Sequence, residues 1–273
     1  MSQGSGSSGN CYYLATDETA LLIDAGISFK ITKKNLEEVG QSLDKVRAVL
    51  VTHDHADHIN SLLGLTKRCF LPVYATPEVH KGIGQSYCLK VPLEPTYIRY
   101  ITKEVPIEIG EFRVTCFEVP HDSTDSVGYR IEVQGVTFVF VTDLGHITET
   151  VARYISEAEY LIMEANHDET MLKNGRYPKY LKERILGPNG HLSNQTTAAF
   201  LSANFPPRLK HLFLCHLSRD NNHPELALKT IEMALRERGI VVGRDVEVTA
   251  LKRSKRSEIF TFHSSLFTLH SSL

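Results

Sequence analysis

The sequence predicts an α/β fold in which β-sheets are covered by helices on their outer faces. Three observations predict it. Short apolar runs of strand type recur along the chain, amphipathic patterns separate many of them, and their order changes midway. Hairpin-like strands in succession give way to strands alternating with helices, the pattern of sheets layered beneath helices. The strand-type runs are rich in Val, Ile, Phe or Leu and are bounded by turn residues or charge. They lie at 20–24, 47–52, 71–74, 112–119, 128–133, 136–142, 160–164, 211–215 and 246–251. Helical spacing of apolar residues appears at 33–39, 57–68, 77–82, 147–156, 179–185, 193–203 and 224–238. With 273 residues, of which 42% are hydrophobic, the chain can bury a large core, and no linker or shift in composition divides it. A single domain is therefore expected over residues 1–252. Residues 253–273, in which His263-Ser-Ser-Leu266 recurs as His270-Ser-Ser-Leu273, are expected to form a peripheral or disordered tail.

Bulk properties narrow the function by exclusion. A net charge of −2 exerts no global pull on nucleic acid, so such a partner would need a local basic patch. The five cysteines are scattered and form no Cys-x-x-Cys pair. That argues against a disulfide framework or thiolate zinc knuckle and for a reducing compartment. No run approaches the ~18 apolar residues needed to span a bilayer. Residues 1–10 are Gly/Ser-rich, without the cationic start and apolar run of a signal peptide. A cytoplasmic protein without membrane association is expected.

The informative feature is the cluster His53-Asp-His-Ala-Asp-His58. It follows the apolar strand run at 47–52, and side chains on an extended segment repeat their direction every second residue. His53 and His55 can then grip one cation from the same side. A turn into helix near Asp57 swings Asp57 and His58 toward a second. Neutral imidazole and carboxylate suit Zn²⁺, and also Mn²⁺ or Fe²⁺. The bland alternative is a His-rich polar loop. Six residues complete at most part of two coordination shells, so further ligands are expected at later strand ends. His121, Asp143 and His216 each follow a strand run, and each alone would read as an ordinary turn residue.

Taken together, these residues resemble the metallo-β-lactamase superfamily, whose members carry the His-x-His-x-Asp-His motif. Asp24 in Leu-Ile-Asp-Ala-Gly resembles the early aspartate of that superfamily. The resemblance implies an αββα sandwich, two mixed β-sheets covered by helices on both outer faces, with two divalent metal ions, Zn²⁺ or Mn²⁺, at the strand ends. A closer similarity is to the YycJ (WalJ) group, regarded as DNA 5′-to-3′ exonucleases. It rests on residues 4–11 (Gly-Ser-Gly-Ser-Ser-Gly-Asn-Cys), 164–168 (Glu-Ala-Asn-His-Asp), 190–194 (Gly-His-Leu-Ser-Asn) and 214–222. By position, the resemblance implies that His53, His55 and His121 hold one ion. Asp57, His58 and His216 would hold the other, with Asp143 bridging. Nothing resembles the long inserted cap domain of some nucleases of the superfamily.

The chemistry implied is hydrolysis of a phosphodiester, with DNA as the substrate and a hydroxide bridging two cations ~3.5–4 Å apart as nucleophile. Asp57 would hold its ion and orient the nucleophile. His191, in a place where related phosphodiesterases carry an acid, would protonate the leaving oxygen; its bland alternative is a histidine bonded to backbone near a helix start. Asp24, Glu164 and His167 would orient these groups from behind. For substrate contact, a basic and aromatic stretch runs from Lys173 to Arg184, with Arg176 and Lys179 as candidates, and Arg219 and Asn222 follow His216. A solvated helix face is the competing reading of that stretch. A phosphodiesterase for small cyclic or dinucleotide phosphates, or a lactam or thioester hydrolase on the same scaffold, are the alternative functions.

Overall fold

The computed structural model describes residues 1–262. Two mixed sheets stack face to face. The first runs β1 (Ser2–Gly4), β2 (Cys11–Ala15), β3 (Ala20–Ile23), β4 (Val46–Leu50), β5 (Val73–Ala75), β6 (Ile98–Tyr100) in spatial order. The second begins with β7 (Ile107–Ile109), β8 (Phe112–Glu118), β9 (Val127–Val133) and β10 (Val136–Val141). It continues through β11 (Tyr160–Glu164), β12 (His211–Cys215) and β13 (Glu247–Ala250) to the other edge. Each sheet opens with antiparallel pairs and ends with parallel ones; in the second sheet this is the change of order visible in the sequence.

Strand alternation explains the layering. In β4 and the residue after it, Ala48 and Leu50 face the second sheet, while Val49 and Val51 face outward under helices. In β11, Tyr160 and Ile162 face the first sheet and Leu161 and Met163 face outward. Strands apolar on both faces require cover on both faces. On the first sheet that cover is α1 (Phe29–Glu37), α3 (Leu62–Cys69) and α4 (Pro77–Gln85), through Leu36, Leu62, Leu65, Val79 and Ile83. On the second it is α5 (Glu149–Ser156), α8 (Asn194–Ala203) and α9 (Pro224–Arg236), through Val151, Ile155, Leu201, Ile231 and Leu235. The result is the αββα sandwich. Among the described residues, no helix is long and apolar enough to cross a membrane.

Two departures from the sequence reading bear on the site. The helix expected over 57–68 is broken into α2 (Ala56–Ile59) and α3, because the amide of Ser61 donates to the carbonyl of Ala25. The break leaves His58 on a single short turn, free to enter the gap between the sheets. At the C-terminal end, the stretch from 253 expected to be a peripheral or disordered tail packs on the sandwich as far as Phe262. The backbone of Ser257 bonds Ser2, and Phe260 packs on Phe213 at 4.8 Å between ring centroids. Phe262 packs on Tyr160 at 4.3 Å. The His-Ser-Ser-Leu repeat, with His263 and His270, lies outside the described residues.

Candidate metal centre

The cluster forms where strands of both sheets end on one edge of the sandwich. Asp24 follows β3, His53 lies just beyond β4, His121 follows β8, Asp143 follows β10, Glu164 ends β11 and His216 follows β12. Three of these residues have left-handed backbones: Asp24 (φ 61°), Asp143 (φ 53°) and His216 (φ 53°). That conformation is uncommon outside glycine and tends to occur where surrounding structure holds a functional residue in place. Here it turns three side chains back over the strand ends instead of letting the chain run on.

Among the described residues the ligand-type atoms converge in four overlapping groups. One joins His53, His58 and Asp143, one joins Asp143, Glu164, His191 and His216, and two match the expected sets. Of those two, His53, His55 and His121 form one and Asp57, His58 and His216 the other, and within each the candidate atoms lie within 4.8 Å of one another. Asp143 stands between them. Its Oδ2 is 3.3 Å from His58 Nε2, and its Oδ1 is 3.4 Å from His216 Nδ1 and 3.9 Å from His121 Nε2. All seven residues named from the sequence as ligands therefore meet in one place.

How the five rings are anchored says what they are for. Each has one nitrogen against a fixed oxygen. His53 Nδ1 faces Thr52 Oγ1 at 3.0 Å, His55 Nε2 the Asp122 carbonyl at 3.2 Å, and His58 Nδ1 the Asp24 carboxylate at 2.8 Å. His121 Nδ1 faces the Gly190 carbonyl at 3.1 Å and His216 Nδ1 the Glu164 carboxylate at 3.1 Å. The Thr52 hydroxyl gives its own proton to Asp24, so it accepts from His53. With the N–H assigned to the anchored nitrogen of each neutral ring, the lone pair of every other nitrogen points inward. Histidines that ligate metal are held in this way. Nε2 of His121 and Nε2 of His216 are buried with no hydrogen-bond partner among the described residues, as atoms awaiting a cation would be.

The electrostatics agree. Burial alone would lower His216, but Asp143, Asp57 and Glu164 outweigh it and carry its pKa up to about 10. Burial likewise opposes His58, which Asp24, Asp143 and Asp57 push well above the ordinary histidine value. For His53 and His121 burial outweighs the raising effect of Asp143, and both are lowered. Burial would raise Asp57 and Asp143, yet the facing histidines hold both below the usual carboxylate range. The pocket thus attracts positive charge, and a divalent ion supplies it in exchange for protons.

Asp24 lies where expected, bonded to His58 and to the amide and hydroxyl of Thr52. Glu164 is fully buried and joins His191 to His216 through one oxygen, at 2.8 and 3.1 Å. His191 stands at the rim, and Glu164 raises its pKa against the opposing effect of burial. His167 is buried, but neither ring nitrogen has a partner among the described residues, and it belongs to none of the ligand groups. Arg176 and Arg219 are exposed on loops that meet where the Tyr177 hydroxyl bonds Asp220. Lys179 is exposed and pairs with Glu183.

Asn222 must be corrected as a substrate contact. Its amide nitrogen donates to the carbonyls of Ala165 and Asn166 and to Asn194, and its oxygen accepts from Asn194 and from the backbone of His223. The side chain faces inward and ties the 164–167 segment to α8, leaving nothing for a substrate.

Three residues with no strong signal of their own also hold the centre. Asn10 donates to Asp57 Oδ2 at 3.1 Å, and its backbone bonds both Asp57 and Gly26. Ser5 accepts from the His216 amide, and Asn166 donates to the His216 carbonyl at 2.9 Å. Gly26 makes this clasp possible, since a Cβ there would lie 1.6 Å from the Asp57 carbonyl oxygen and 2.6 Å from the Asn10 nitrogen. Both obstacles are backbone. Gly26→Ala is expected to cost about 3 kcal/mol, the upper part of the range for overpacking. A thermal midpoint unchanged by the substitution would show that the clasp yields freely.

With this geometry established, comparison with known proteins places the chain. It belongs to the beta-lactamase superfamily, whose domain model matches residues 19–217. The chain is 34% identical over 244 residues to the exodeoxyribonuclease YycJ of Bacillus anthracis, covering 89% of this chain and 91% of that protein. It is 35% identical over 245 residues to the exodeoxyribonuclease WalJ of Streptococcus pneumoniae, covering 89% and 90%. Among solved structures, the metallo-β-lactamase fold protein YhfI of Bacillus subtilis superposes with a TM-score of 0.67 at 18% identity, over 92% of this chain and 95% of that one. The fold and the clustered histidines and aspartates support divalent-metal binding.

Proposed function

We propose that the chain is a metal-dependent DNA exonuclease that works from 5′ ends and holds two divalent ions. The observation that carries this reading is the set of five histidines, each anchored through one nitrogen and gathered into two ligand groups, with Asp143 3.3 to 3.9 Å from His58, His216 and His121. The two named exodeoxyribonucleases, similar along about nine-tenths of the chain, support the substrate class. In this reading His53, His55 and His121 hold one ion, and Asp57, His58 and His216 the other, with Asp143 between them. Bound divalent cations supply charge to the phosphoryl oxygens and bring water toward ionisation near neutral pH.

The residues supply the rest. Hydrolysis joins a water oxygen to phosphorus and breaks the P–O3′ bond, whose electron pair leaves on O3′. Asp57, held ionised by His58 and His216, takes the proton of the attacking water. O3′ takes a proton from His191. Nδ1 of His191 is engaged with Glu164, so Nε2 is the donating atom. Arg176 and Arg219, exposed where their loops meet, would pair with phosphates further along the strand.

The test is degradation of 5′- and 3′-labelled duplex DNA by protein stripped of metal, then supplied with Mn²⁺ or Zn²⁺, beside the Asp57→Ala, His58→Ala double variant. Metal-dependent loss of the 5′ label, absent from the variant, is the expected result. No DNA cleavage with either ion, together with turnover of a small chromogenic phosphodiester, would replace the exonuclease reading by that of a small-substrate phosphodiesterase.

A further inference from the structure

A cavity of about 230 Å³ opens beside the metal centre, and of its lining residues only His191 and His216 have a part in the mechanism above. Helix α7 (Lys179–Leu186) forms one wall, with Leu181, Arg184 and Ile185 lining it; Tyr177 stands just before that helix, and His191 and His216 line the side nearest the metal centre. We propose that this cavity receives the terminal nucleotide of the strand, one unit at a time, with Arg184 binding its phosphate and the base lying against Leu181, Ile185 and Tyr177. The proposal deepens the exonuclease reading and rests on it.

Three observations converge on it. The first is position. His191 must deliver its proton to the oxygen that leaves phosphorus, and in attack from the 5′ end that oxygen is O3′ of the terminal nucleotide. The nucleotide to be released therefore lies on the His191 side of the scissile bond, where the cavity is. The second is chemistry. Leu181 and Ile185 offer an apolar wall and Tyr177 an aromatic face, on which any of the four bases can pack. The Arg184 guanidinium is held near the metal centre by two bonds to Asp122, the residue after His121, whose carbonyl faces His55. That pair is half exposed on the arginine side, so a phosphate dianion can displace the carboxylate and take the same two-pronged contact. The third is size. Pockets that bury a whole drug-sized ligand run to ~300–1,000 Å³, so this one holds a single nucleoside unit with its phosphate at the mouth and no longer piece. The strand is then cut one nucleotide from its end, and the products are deoxynucleoside 5′-monophosphates.

The experiment uses the full chain as wild type, as Arg184→Ala and as Leu181→Trp, which fills the cavity. Binding of dAMP is measured by calorimetry, and the length of products released from duplex DNA is measured in parallel. The expected results are mononucleotide products, dAMP binding weakened about 10-fold or more by Arg184→Ala through loss of a charge-assisted contact, and binding abolished by Leu181→Trp. KM for DNA should rise in both variants more than kcat falls. Products of two or more nucleotides, or equal dAMP affinity in the three proteins, would overturn the pocket while leaving exonuclease activity in place. If no metal condition yields DNA cleavage but dAMP binding still depends on Arg184, the exonuclease reading fails and the nucleotide pocket stands.

Discussion

Asp143→Asn is expected to lower the metal-dependent activity by about a thousand-fold, because one carboxylate stands between both candidate ligand groups. Its Oδ2 faces His58 and its Oδ1 faces His216 and His121, so removing the charge disturbs both ligand groups at once. Asparagine is the informative replacement. It keeps the shape of the side chain, and it tolerates the left-handed backbone that Asp143 adopts better than other uncharged residues do. Any loss then reports the missing negative charge and not a distorted strand end. Elemental analysis of the purified variant should show fewer ions per chain than wild type, and added Mn²⁺ should restore only part of the activity. A variant with wild-type metal content and wild-type turnover would remove Asp143 from the position between the two groups.

The same residue shows what the sequence could and could not disclose. Its type and its place after an apolar run marked it, as they marked His121 and His216, because ligand chemistry needs few residue types and strand ends are legible in a chain of apolar runs. The interior strands β9 to β12 were readable for that reason. β1, β2, β6 and β7 were missed: β1, β6 and β7 are only three residues long at a sheet edge, β2 lies next to one, and the Gly/Ser composition around β1 reads as loop until β2 pairs with it. Asn10 and Ser5 hold Asp57 and His216 from that same segment, and an amide or hydroxyl distant in sequence from its partner leaves no periodic trace. Adjacency misled in the other direction at Asn222, near the candidate ligand His216 in sequence yet turned into the protein. In the basic stretch, composition alone could not rank the cations. The helix puts Arg184 on the cavity and leaves Lys179 facing solvent.

Glu164→Ala is expected to destabilise the protein by about 3–5 kcal/mol, the cost of removing one partner from a buried charged network. At this size that corresponds to a fall of about 10 °C in the thermal midpoint. Glu164 is fully buried and uses both oxygens. Oε1 receives His191 at 2.8 Å and His216 at 3.1 Å, while Oε2 receives the amides of Leu144 at 3.0 Å and Leu192 at 3.1 Å. Alanine leaves two backbone donors and two imidazoles without an acceptor. Glu164→Gln offers a finer probe, since either orientation of its amide turns an NH₂ group toward a pair of donors, so it too should be less stable than wild type. Measured across pH on protein stripped of metal, the pair has a signature. Burial alone would raise the Glu164 carboxyl, but His191 and His216 hold it down at about 2 against an ordinary 4.5, so its contribution is complete above pH 4.5 and is lost as pH falls toward 2. His191 is raised above its ordinary 6.5, so its contribution is complete below pH 6.5 and is lost as pH climbs through the raised value. Between pH 4.5 and 6.5 both are intact, and the gap in midpoint between wild type and Glu164→Gln should be widest there, narrowing on either side. A gap that stays constant from pH 3 to 9 would mean that the carboxylate acts through its shape alone, and His191 would lose the partner that keeps its proton ready for the leaving oxygen.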